Sequence, residues 1–139
     1  MRRIALCLLW LGCGGMSGPE QLSVGGTYDT AVSLLPGNNC SSPQVQNNPT
    51  TVTQSPGATS LSLTHAGVTY AGTVDMSGAF SVPATPVSNG AYQISIAGQF
   101  NATGFTATVH VAQQAPACQY DVGWVGSKQG PPNTYPGYP

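Results

Sequence analysis

The chain has 139 residues, a formal net charge of −1 and only 5% Asp, Glu, Lys and Arg. That length supports one core rather than two, and the β-branched and aromatic residues spread among Ser, Thr, Asn, Gln and Gly exclude a disordered body. The strong bases are Arg2, Arg3 and Lys128 alone, so there is no basic cluster to neutralise phosphates and nucleic-acid binding is excluded.

Residues 1–12 read as a signal peptide: Met1-Arg2-Arg3 is basic, and Ile4 to Leu11 is an apolar run too short to span a bilayer. The run ends in Leu9-Trp10-Leu11-Gly12-Cys13-Gly14-Gly15. This resembles the signal of bacterial lipoproteins, in which a small residue precedes a cysteine that is acylated and becomes the mature N-terminus. Gly12 and Cys13 match that pattern, while Trp10 stands where Leu or Val is usual. The resemblance implies lipidation at Cys13, export, and membrane anchoring through the acyl chains. Gly14 rather than Asp after the cysteine implies the outer membrane in a Gram-negative cell. Residues 13–24 are small, polar or bend-prone and read as a flexible tether.

The body, 25–126, shows period-two alternation throughout. A first strand runs from Gly25 to Leu35 with Tyr28, Val32 and Leu34 inward, and Pro36-Gly37-Asn38-Asn39 ends it as a turn. Residues 40–56 are polar with three prolines, which suits an edge strand near Thr50 to Gln54 or a loop over a barrel mouth. Ala58 to His65 places Leu61 and Leu63 inside, and Val68 to Asp75 returns with Val68, Tyr70 and Val74 inside. After the turn Asp75-Met76-Ser77-Gly78 come Phe80 and Val82, and then a connection over 83–90 with two prolines. Tyr92, Ile94, Ile96 and Phe100 share one parity, as do Phe105, Ala107, Val109 and Val111 beyond Asn101-Ala102-Thr103-Gly104. That pair of runs is a hairpin with one buried face, around which the rest closes. Cys118 to Val125 is the last strand, with Tyr120, Val122 and Trp124 inward. Residues 127–139 carry four prolines in the last nine positions and read as a disordered Pro/Gly/Tyr-rich tail.

The expected fold is all-β: an antiparallel meander of seven or eight strands forming a small barrel, with a β-sandwich as the alternative. An immunoglobulin-like sandwich wants a tryptophan between its paired cysteines, and here Trp10 and Trp124 both lie outside the Cys40 to Cys118 interval. Cys7 belongs to the discarded leader and Cys13 to the lipid, so Cys40 and Cys118 remain to form one disulfide in an exported chain. Gly26-Thr27-Tyr28 on the first strand and Lys128 after the last are similar to the lipocalin-like barrels, whose first strand carries Gly-x-Trp with a basic residue packed over the ring. Tyr28 replaces that Trp.

No catalytic constellation emerges. His65 shares the inward parity of Leu61 and Leu63 at a strand end, whereas His110 lies opposite in parity to Val109 and Val111 and faces water. The two imidazoles are thus not expected to converge as a dyad or a metal pair. Asp75 belongs to a turn; Asp29 and Asp121 share the outward faces of the end strands and would need a cation only if they met side by side. The expectation is a protein that is not an enzyme and uses no metal or cofactor. Two functions follow. One is a lipid-anchored structural or interaction module touching envelope protein or glycan. The other is lipocalin-like binding of a small apolar ligand by Tyr28, Tyr70, Tyr92, Phe100, Phe105 and Trp124 in the interior. Eight strands can either fill with side chains or hold one small molecule. The many rings favour a filled core, and a void wider than a few waters lined by several of them reverses that order.

Overall fold

The computed structural model of the protein describes residues 21–136. The signal peptide, Cys13, most of the tether and the final three residues of the tail lie outside the described residues. Eight strands form one antiparallel meander: β1 (Gly26–Leu34), β2 (Thr50–Thr53), β3 (Ser60–His65), β4 (Val68–Val74), β5 (Ala79–Val87), β6 (Tyr92–Asn101), β7 (Gly104–Gln114) and β8 (Ala117–Lys128). Each pairs with its successor, and β8 returns to β1 from Tyr28↔Lys128 to Leu34↔Val122, closing the barrel. Closure leaves little free edge, which is how so uncharged a sheet limits pairing with other chains.

The alternation of the sequence becomes the inner wall. Leu61, Leu63, Val74, Val82, Ile96, Ala107, Val109, Val111 and Val122 are all buried, each large side chain contributing roughly 1.5–3 kcal/mol by leaving water. At the end where β1 begins, Tyr28, Phe80, Phe100 and Phe105 fill the barrel as one cluster, with ring centroids 4.6–5.9 Å apart. Two glycines make this possible. Gly126 faces Phe105 and Gly98 faces Phe80 across their strand pairs, and a Cβ at either would run into the opposing ring.

Three expectations are corrected. The tether and tail do not flank the domain loosely where they are described: Leu22, Val24 and Asn133 are buried, and Ser23 bridges Thr134. They cover the aromatic end of the barrel, which would otherwise expose apolar surface. Second, β5 does not stop at Val82 but continues to Val87 through Pro83 and Pro86, with a bulge between Val82 and Thr85. β4 pairs with β5 only at Thr73↔Ser81 and Val74↔Phe80, so the upper half of β5 is an edge on that side, where missing N–H donors are tolerated. Third, Leu34 is inward in parity but lies at the barrel rim, where it is exposed.

Candidate functional site

The opposite end of the barrel is not filled. Four connections lie there, and the longest, 35–49, folds over the mouth. Its first part extends β1 along β8: Leu35 N–H donates to Asp121 O at 2.9 Å and Asn39 N–H to Gln119 O at 3.0 Å. The Cys40–Cys118 disulfide fastens it to the start of β8. Its last part returns over the opening, held by Val32 N–H donating to Asn47 Oδ1 at 2.8 Å.

Beneath this loop is a cavity of about 200 Å³ whose wall includes Val32, Val45, His65, Tyr70, Ile94, Val109, Val111, Tyr120, Val122 and Trp124, with Gln44, Gln46 and Asn48 at the rim. At about 30 Å³ per water the space exceeds a few solvent molecules. Its wall is apolar and aromatic with few polar groups, the usual make-up of a small-molecule site. His65, at the end of β3, turns its ring onto Trp124 of β8, stacked with centroids 4.1 Å apart. Nδ1 of His65 lies 2.9 Å from Thr50 Oγ1, which lies 2.7 Å from Thr30 Oγ1. Thr30 and Thr50 are buried polar residues satisfied by these bonds. Burial pushes the His65 pKa below its ordinary value and the Tyr70 pKa above its own.

The six residues expected to bind ligand divide. Tyr70 and Trp124 line the cavity. Tyr28, Phe100 and Phe105 do not reach it, being sealed in the filled half of the interior. Tyr92 packs half-buried against the core without lining the cavity. Strand alternation alone cannot tell one end of a barrel from the other, because both ends share the same inward parity. His65 and Tyr120 complete the wall and were not among the six, although the inward parity of both is legible in the sequence.

The other ionisable groups are accounted for separately. His110 faces outward and its Nδ1 pairs with Asp121 Oδ1 at 2.7 Å. Asp29 is opposite Ser127 rather than Asp121 and accepts from Gln129 Nε2 at 2.8 Å, so the two carboxylates do not meet. Asp75 Oδ1 accepts from Ser77 Oγ, Ser77 N–H and Ala79 N–H, and the Ser77 bonds hold its pKa below the usual range. Among the described residues no three His, Cys, Asp or Glu side chains gather into a group able to hold a metal ion.

The geometry thus defines an eight-stranded closed meander barrel, filled with aromatic rings at one end and opening into a pocket of about 200 Å³ at the other. No family model, curated protein or solved structure matches the chain.

Proposed function

We propose that this protein is an exported binding protein that carries a small, largely apolar aromatic ligand in the mouth of its barrel, without catalysing a reaction on it. The observation that carries the reading is the division of the interior: four rings pack one end solid, while Trp124, Tyr70, Tyr120 and His65 wall an unfilled space at the other. An apolar cavity of about 150 Å³ already admits benzene, so this one has room for a single ring. The placing of Gly26, Tyr28 and Lys128 supports the lipocalin-like resemblance: Lys128 is opposite Tyr28 in the β1–β8 register, and its stem lies over Gly26, where a Cβ would stand 2.9 Å from Lys128 Cε.

Anchoring through Cys13 is part of the same proposal. The lipoprotein-like signal supports it. The mature protein from a membrane fraction should carry acyl mass on Cys13, and Cys13→Ala should release it to the soluble fraction.

The binding test uses the mature chain from Cys13, in which Trp124 is the single tryptophan. Titration with toluene should change Trp124 emission saturably and raise the melting temperature, by about 2.7 kcal/mol of added stability at a hundredfold excess over Kd. No response in either signal to toluene or to phenol would return the protein to the other reading, an envelope module contacting protein or glycan through its hydroxyl and amide surface.

A further inference from the structure

We propose that the ligand carries a hydrogen-bond donor on its ring, a hydroxyl or an N–H, delivered to Nε2 of His65. This rests on the ligand-binding reading above and adds the polarity of the ligand.

The polarity follows from a hydrogen-bond chain with one fixed end. The backbone carbonyl of Tyr28 can only accept, and Thr30 Oγ1 donates its single proton to it at 3.3 Å. With that proton committed, Thr30 Oγ1 accepts in its 2.7 Å contact with Thr50, so Thr50 is the donor there. Thr50 then has no proton left for His65, 2.9 Å away, and must accept from Nδ1. A neutral imidazole carries one N–H, which this chain assigns to Nδ1. Running the chain the other way would leave the Thr30–Tyr28 contact without a proton, so only one direction satisfies all three bonds.

Nε2 is therefore the lone-pair nitrogen. It has no hydrogen-bond partner among the described residues and is not sealed from solvent, and His65 forms part of the cavity wall. Burial, which lowers the pKa of this histidine, keeps the lone pair available at neutral pH. No Lys or Arg lines the cavity, so an anionic ligand would lose its hydration without gaining a cation. A ligand that only accepts would set its lone pair against that of Nε2. A bare hydrocarbon would strip water from Nε2 and return nothing. A phenol-like ring satisfies the acceptor and places its apolar part against the valines and Trp124.

Phenol and toluene, nearly equal in shape, separate the donor from the ring. In the full chain, the ratio of phenol to toluene affinity should fall about tenfold in His65→Phe, with toluene binding retained. Long-range proton–nitrogen correlation spectra of the unsubstituted protein should show His65 protonated at Nδ1, with phenol moving the Nε2 resonance and toluene leaving it unprotonated and unbonded. An Nε2-protonated ring in the free protein overturns the proposal even if the variant does not fold. So does a phenol to toluene ratio that His65→Phe leaves unchanged, an outcome in which the ligand-binding reading stands. Failure of both probes to bind overturns that reading as well.

Discussion

The hydroxyl of Tyr28 and Oδ1 of Asn133 lie 2.9 Å apart across a separation of 105 residues. The same hydroxyl donates to Val24 O at 2.6 Å, while the Asn133 amide nitrogen donates to Asn101 O at 2.9 Å. One buried phenol thus ties the segment entering the barrel, the segment leaving it and the β6–β7 turn into a seal over the aromatic cluster. Burial pushes the Tyr28 pKa far up, so the hydroxyl stays a donor at any physiological pH. Tyr28→Phe removes the single phenolic proton, which Val24 O and Asn133 Oδ1 can only share, and should destabilise the fold by about 1–3 kcal/mol. The urea midpoint measures this, and an unchanged midpoint would show that the seal does not depend on the phenol.

The disulfide acts at the other end. Its cysteines are 78 positions apart, and closing so long a loop restricts the unfolded chain by about 4 kcal/mol on entropic grounds. The double variant Cys40→Ala with Cys118→Ala should lose roughly 2–4 kcal/mol of stability. It should also speed hydrogen exchange selectively in residues 35–49, because the Asn39 and Leu35 bonds to β8 lose their covalent support. Uniform exchange across the barrel would mean that the staple holds the whole fold and not its cover.

Acid should weaken the protein through His65. Its folded-state pKa lies below the ordinary 6.5 because burial disfavours the charged ring. Between that lowered value and 6.5 the unfolded chain binds more protons than the folded one, so stability falls as pH drops through this window and is constant above it. Tyr70 and Tyr120, the other titratable groups in the cavity wall, have pKa values raised by burial and stay neutral throughout. Subtracting the melting-temperature profile of His65→Gln from that of the unsubstituted protein isolates the contribution of His65. The difference should appear below pH 6.5, and a flat difference would contradict the burial of the ring.

Gly126→Ala tests how tightly the filled half is packed. The new Cβ would enter the space of the Phe105 ring across the β7–β8 pair, and overpacking of this kind costs about 1–3 kcal/mol. Pairing the change with Phe105→Leu should restore part of the loss, and a double-mutant cycle in thermal unfolding measures the coupling.

The strand alternation, the turns and the pairing of Cys40 with Cys118 were legible in the chain itself, because side-chain direction in a strand is a local property with period two. Inward parity for Tyr28, Leu63, Phe100, Val109 and Trp124 needs only their neighbours in sequence. Turn chemistry at Asp75 and Asn101 is equally local, each carboxylate or amide oxygen capping N–H groups within four residues. Which end of the barrel is solid and which hollow was not local. It depends on Leu22, Val24 and Asn133 converging on one rim from opposite ends of the chain, and on glycines facing rings across strand pairs. The role of His65 was likewise a tertiary matter. A lone inward histidine says nothing of its partners until the pairing of β1, β2 and β3 sets Thr30 beside Thr50 and Thr50 beside the ring, and closure of the meander brings Trp124 against it.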